Sequence, residues 1–479
     1  MQFNSYIFIL LFLPMVCMGY YWIIKIKKQE WLNLFLLFMS LGFYVYAGKE
    51  SLLLLLGDII VNFLFYKAIQ NNINRINKKK ILLIFAVSFN LLILFYFKYV
   101  NFFISNANLF LKKEYTIIDV IQPLGISFLV FQQIAFLVDT SRDEVEKCSF
   151  VEYALFTSYF PHISSGPIML HNDILVDLKA KKFVDWHKIS CGIYMFVMGL
   201  GKKVLIADLL SKAVDWGYAN ISELNTSSVL FISVAYSLQI YFDFSGYSDM
   251  AIGISRILQL DLPMNFNSPY KSKNILDFWS RWHMTLTRFL TKYLYIPLGG
   301  NRKGKLRTYV NTFIVFMCSG IWHGASWTFV LWGLLHGSFM ILTKYFKTSI
   351  DRIPDFINKM ITLLFINFTW IVFRAGSFST LRQLLNSLIL GGWGVLHEEI
   401  ASIFKGFGIL EFDIINIPNW CWALGTIIAL IYVVLGMKNV EEKVKEMKFD
   451  VWSCIGTVFV TFMCIISFSG VSTFIYSMF

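Results

Sequence analysis

Apolar runs near the ~20 residues that cross a bilayer recur from one end of this sequence to the other, separated by short polar breaks. The runs at about 4–24, 30–47, 51–69 and 81–97 are continuous rather than alternating, which predicts helices and not the strands of a barrel. Further spans are predicted at about 191–211, 226–260 and 451–468. The run from 308 to 343, about 36 residues, is too long for one crossing and right for two, so a break is expected at Gly324-Ala325-Ser326. Gly320 with Gly324, and Gly333 with Gly337, fit a small-xxx-small spacing that lets helix backbones approach closely.

Two stretches interrupt this pattern in a different way. Pro123-Leu124-Gly125-Ile126-Ser127-Phe128, followed by Gln132, Gln133 and Asp139, sets a proline, a glycine and polar groups at membrane depth. That predicts a broken or re-entrant helix enclosed by protein, because lipid would leave the freed backbone groups unsatisfied. Phe160-Pro161-His162-Ile163-Ser164-Ser165-Gly166-Pro167 repeats the theme, and its two prolines cannot share one straight helix. It suits a cavity wall; His162 alone suits a plain interfacial loop. The segment 171–190 is polar and is expected outside the membrane.

Composition agrees with the hydropathy. The chain has 479 residues, 57% hydrophobic and 15% charged, against about 25% charged in soluble proteins. The class is all-α, a polytopic membrane protein of roughly 10–13 transmembrane helices with re-entrant and interfacial pieces. The net charge of +12 does not imply nucleic acid, because the lysines and arginines sit in short loops between spans. Basic loops at 25–28, 75–80 and 344–359 and the charged connector at 438–448 are expected in the cytoplasm. The acid-bearing loop at 391–420 and both chain ends are then extracytoplasmic. The first segment lacks a positive n-region and a small-residue cleavage site, so it reads as an uncleaved span. Seven scattered cysteines form no CxxC pair and read as small buried hydrophobes. No zincin, EF-hand, Walker A, GxGxxG or GxSxG pattern is present, so no metal is expected, and ATP-driven transport and α/β-hydrolase chemistry lose support.

The candidate chemistry lies between Asp277 and Gly337. His283 and His323 each follow a tryptophan, Trp282 and Trp322, in or beside apolar runs. A titratable imidazole there is a functional hypothesis by default. His323 could take a proton from an attacking hydroxyl, with Trp322 and Trp327 walling off water. It could equally be a core histidine bonded to a carbonyl. His283 is expected on an amphipathic helix with Arg281 and Arg288, where an interfacial role also fits. The Asn301-Arg302-Lys303-Gly304-Lys305 turn suits donor phosphates, although the positive-inside rule explains it as well. Asp243 and Asp249, with Ser245 and Ser248, either serve a site or pin helix to helix.

Phe278-Trp279-Ser280-Arg281-Trp282-His283-Met284-Thr285-Leu286, Tyr295-Ile296-Pro297-Leu298-Gly299-Gly300-Asn301-Arg302 and Trp322-His323-Gly324-Ala325-Ser326-Trp327 resemble the membrane-bound O-acyltransferase (MBOAT) family, and within it the bacterial alginate and peptidoglycan O-acetyltransferases. The stretches 123–128 and 241–250 resemble it too. The resemblance implies a single domain, 1–479, with peripheral spans at 1–114, a catalytic core at 115–345 and C-terminal spans at 346–479. It implies that His323 matches the catalytic histidine and His283 the second functional position. It also implies acetyl-CoA as the cytoplasmic donor, an acyl tunnel, an extracytoplasmic acetyltransferase partner and a cell-surface polysaccharide acceptor. Trp322, Trp327, Trp282, Asp243, Arg302 and Lys303 are the expected substrate- and donor-binding groups. The ending Ser472-Thr473-Phe474-Ile475-Tyr476-Ser477-Met478-Phe479 resembles a terminal motif whose tyrosine, here Tyr476, would carry the acyl group; an interfacial aromatic anchor is the alternative. D-alanyl transfer to teichoic acid, a transporter or flippase, and a membrane scaffold are the rival functions.

Overall fold

The computed structural model describes residues 1–46, 48–408, 417–447, 450–468 and 474, and the described residues contain helices and no strands. Four helices open the chain: α1 (Ile7–Ile26), α2 (Gln29–Val45), α3 (Lys49–Asn71) and α4 (Ile76–Leu111). The last runs 36 residues, well past the expected end near 97. It passes Lys98 through one wide π-helical turn, Phe95–Tyr99.

The proline- and amide-bearing stretch forms α5 (Ile126–Ser141), entered through Gly125 in the left-handed region (φ 71°). A short α6 (Phe150–Ser158) follows, then the helix-free stretch 159–170, then α7 (His171–Lys179). The polar groups at this depth have partners. Gln133 donates to Asp58 of α3 (2.9 Å) and Gln132 to the Phe156 carbonyl (2.8 Å). His162 is buried rather than interfacial, its Nε2 3.1 Å from the same carbonyl. Such bonds offset the cost of burying amides and an imidazole.

A long element follows, α8 (Trp186–Gly201), a π-helical stretch Lys202–Ala207 and α9 (Asp208–Ala219). It packs antiparallel on α10 (Thr226–Ile257), which is buried along nearly its whole length. Two reciprocal glycine contacts set this approach. A Cβ on Gly192 would lie 2.6 Å from the Gly253 carbonyl, and one on Gly199 2.6 Å from that of Gly246. Gly253 and Gly246 meet the Gly192 and Gly199 carbonyls at 2.6 and 2.8 Å in return. Close backbone approach is how lipid-embedded helices gain packing where solvent supplies no drive. Gly199→Leu is therefore expected to cost about 1–3 kcal/mol. Its thermal melt in detergent should fall by several degrees, while Gly425→Leu, at an open position, should not move it.

The remaining α-helices of seven residues or more among the described residues are α11 (Ile275–Arg281), α12 (Met284–Leu290), α13 (Gly304–His323), α14 (Trp327–Tyr345), α15 (Asp355–Ala375), α16 (Phe378–Leu390), α17 (Asn419–Gly436), α18 (Val440–Glu446) and α19 (Val451–Ile466). The break between α13 and α14 falls at the expected 324–326, where Ser326 Oγ accepts from the Thr328 N–H (3.3 Å) and caps α14. Gly320 lies against the Phe329 carbonyl and Gly333, so small residues do set this contact. Six helices among the described residues are long and apolar enough to span a membrane: α1, α3, α4, α10, α15 and α17. The expectation of roughly 10–13 also counted shorter and interrupted runs. Among the described residues two large apolar cores form, one built mostly from α1–α8 and the other from α9, α10 and the elements that follow, and a smaller third gathers Phe128, Leu286, Phe289 and Trp322. Glu411, Asp413 and Tyr476 lie outside the described residues.

Candidate active site

His283 does not ride on an amphipathic helix. It lies between α11 and α12 in a left-handed conformation, φ 47° and ψ 52°, and is 1% exposed. The backbone there pairs with the segment 265–267 instead of continuing the helix. Asn267 N–H donates to the Arg281 carbonyl and Met284 N–H to the Asn265 carbonyl, each at 2.9 Å. A non-glycine residue in this region costs of order 1–3 kcal/mol and is commonest at functional sites. The side chain of Asn265 then orients the ring. Its Oδ1 accepts from Thr285 N–H (3.3 Å) and Oγ1–H (2.9 Å), and lies 3.0 Å from His283 Nδ1. The backbone donor fixes the amide's orientation, so His283 Nδ1 carries the proton and Nε2 is the accepting nitrogen.

His323 is the last residue of α13 and is 4% exposed. Aromatic rings enclose it: Trp322 and Trp332 at 5.1 Å each and Phe373 of α15 at 5.2 Å between centroids. Trp322 joins the two histidines, its ring also lying 6.2 Å from that of His283. Phe131 stacks on the indole at 5.2 Å and Phe128 meets it edge-on at 5.3 Å, so α5 holds it from behind. Groups 40 positions apart in sequence thus share one wall.

His323 and Trp322 open on a cavity of about 350 Å³. Its polar lining includes Gln2, Gln122, Ser127 of α5, Ser164 and Ser165 of the helix-free stretch, Tyr247 of α10 and Lys98 of α4. Phe474 lines it as well, its ring edge-on to Tyr247 at 4.7 Å. Another cavity, about 220 Å³, lies along the middle of the same α13. Trp279, Tyr295, Lys344 and the α13 residues Thr312, Phe316 and Ser319 line it.

Other expected site residues lie elsewhere. Trp327 is half-exposed at the start of α14, where its Nε1–H donates to Asn106 (2.9 Å); it walls neither histidine. Trp282 is buried among Phe278, Phe266 and Trp370 rather than in the cavity lining. Arg302 and Lys303 are exposed on the turn before α13. Twenty residues of helix put that turn about 30 Å from His323. Asp243 pairs with Lys203 (2.7 Å), which also meets Asp208 (2.9 Å), tying the α8–α9 element to α10. Asp249 likewise pairs with Lys202 at 2.6 Å. These bonds match the helix-pinning alternative.

Three contributors escaped the sequence reading. Lys98 is the single charge between residues 81 and 111, a signal available from the sequence had the span not been ended at 97. Asn265 carries no sequence signal of its kind. His336 is a structural histidine: Nδ1 accepts from Trp279 Nε1–H (3.2 Å), leaving Nε2–H to donate to Thr369 (3.0 Å). Asp139, Glu144 and His171 cluster with metal-like spacing, but their charge is answered by Lys292, 2.9 Å from Asp139 and 2.7 Å from Glu144. Tyr293 also donates to Asp139 at 2.6 Å.

Residues 131–382 match the membrane-bound O-acyltransferase family. The peptidoglycan O-acetyltransferase of Helicobacter pylori is 38% identical over 437 residues, covering 84% of this chain and 82% of that protein. A probable alginate O-acetylase of Pseudomonas putida is 34% identical over 412 residues, 84% of this chain and 83% of its own length. The teichoic acid D-alanyltransferase of Bacillus subtilis is 30% identical over 242 residues, 48% of this chain and 60% of its own. The two histidines facing one indole in an all-helical, multi-spanning chain therefore sit within a known framework, and the chain belongs to the membrane-bound O-acyltransferase family.

Proposed function

We propose that this membrane acyltransferase passes an acetyl group from cytoplasmic acetyl-CoA to the outer face for O-acetylation of a cell-surface polysaccharide. The relatives that share most of its length are named for acetylating peptidoglycan or alginate, which favours acetyl over D-alanyl. The observation that carries the route is that His323 and Phe474, two residues before Tyr476, line one cavity. The donor would approach from the far end of α13. There the exposed Arg302, Lys303, Lys305 and Arg307 suit its phosphates, and the smaller cavity, midway along α13 between that end and His323, suits its thioester arm.

In this mechanism His323 takes the proton of the Tyr476 hydroxyl as its oxygen attacks the thioester carbonyl. The C–S bond breaks, the thiolate leaves with a proton, and a tyrosyl ester remains. A partner enzyme outside the membrane then moves the acetyl to a glycan hydroxyl. His283, through Nε2, orients the attacking hydroxyl, and the aromatic shell keeps water from hydrolysing the ester. The chain would lie in the bacterial cytoplasmic membrane with both ends outside. The test is mass spectrometry of the C-terminal peptide after incubating purified protein with isotopically labelled acetyl-CoA. Label on Tyr476, absent in Tyr476→Phe, is the expected result. Tyr476→Phe with full export activity would remove the relay, and transfer only from a D-alanyl carrier-protein thioester would replace the donor.

A further inference from the structure

Lys98 is the single charge over residues 81–111 of α4, and a lysine in such a place needs a reason. Its amino group faces three acceptors. It donates to the Trp322 carbonyl at 2.7 Å, the His323 carbonyl at 3.0 Å and Ser127 Oγ at 3.2 Å. An ammonium has three N–H bonds, so this set uses all of them within the protein. The two carbonyls are end groups of α13, which no further helical turn satisfies, and they carry the negative end of its dipole. The group also lies 5.8 Å from the centroid of the Trp322 ring. The wide π-helical turn at Phe95–Tyr99 carries Lys98, and such turns recur at functional sites.

We propose that Lys98 is a positioning residue that holds His323 and Trp322 in their working geometry by capping the end of α13 and tying it to α4 and α5. Capping carbonyls inside the protein replaces the counter-charge that an intramembrane lysine otherwise requires. Because the next residues, Gly324 to Ser326, are a non-helical break, the backbone carrying the imidazole has no following turn to hold it. With Lys98 in place, the ring of His323 is held from its own main chain rather than only by its aromatic neighbours. The inference rests on His323 as the base.

The test compares Lys98→Met with wild type, counting turnover per folded molecule from the melting amplitude. Both acetyl-CoA and a D-alanyl carrier thioester are offered, and the donor that wild type uses is followed. A displacement of about 1 Å at a catalytic group costs roughly 100-fold. The expected result is a kcat lower by about that factor with KM for the donor within about twofold of wild type. A Lys98→Met protein with kcat within about threefold of wild type overturns the proposal. If Lys98→Met does not accumulate, Lys98→Arg decides, since it keeps a cation but not the three-way geometry. A drop of about tenfold at unchanged KM supports the proposal, and wild-type kcat overturns it. His323→Ala is assayed beside them. Its full activity would sink the base reading, whereas full activity of Lys98→Met with an inactive His323→Ala would sink only the role of Lys98.

Discussion

Replacing His323 with alanine is expected to lower acyl transfer by about 10²–10⁴-fold per folded molecule, the range for loss of a general base. The ring is 4% exposed and touches three aromatic side chains, so alanine also leaves a void. Such voids cost a few kcal/mol, enough to lower abundance and imitate a catalytic loss. His323→Gln separates the two effects, because it fills more of the space and cannot act as a base near neutral pH. Both variants should therefore lose transfer, and the glutamine protein should melt closer to wild type. Transfer by His323→Gln at the wild-type rate would assign the chemistry to another group.

Lys203→Met is expected to be among the most damaging changes to the fold. Lys203 is 2% exposed and 2.7 Å from Asp243, itself 2% exposed. Removing one partner of a buried pair costs about 3–5 kcal/mol, because the other charge stays behind. That is a large share of the roughly 5–15 kcal/mol that holds a typical domain together. Lys203→Met together with Asp243→Leu should recover part of the loss, since the fully buried carboxylate goes as well, while Asp208, the other partner at 2.9 Å, loses its cation but is partly exposed to water. The amino group also lies 4.6 Å from the centroid of the Phe474 ring. The double variant should therefore melt above the single variant while still lacking that hold on the tail. Melting curves of the three proteins in detergent check this. A single variant that melts with wild type would show that the pair contributes little.

Much of this architecture is legible in single segments. A run of apolar residues reports its own length, and length against bilayer thickness decides whether it can cross. The break after His323 follows from a run too long for one span meeting Gly324 and Ser326, and Ser326 caps the helix that follows. The small-residue contact of α13 with α14 was legible for the same reason. The limits are just as local. Ending a span at 97 hid Lys98, since hydropathy says where a helix can leave lipid and not whether it continues as helix. The helical spacing around His283 gave no warning that a distant segment, 265–267, would take over its backbone hydrogen bonds.

Membrane class, helical architecture and family were thus written in the sequence itself, in segment length, apolar continuity and a linked set of Trp-His motifs. Only the tertiary structure decided which polar groups meet. It brought His283 and His323 both to the Trp322 ring, left Trp327 half-exposed and away from them, and gave Asp243 to Lys203. It also set Lys98 on the carbonyls that end α13. The reason is physical: hydropathy and helix breaks depend on neighbours a few residues away. The pairing of buried polar groups depends instead on how helices distant in sequence pack side by side.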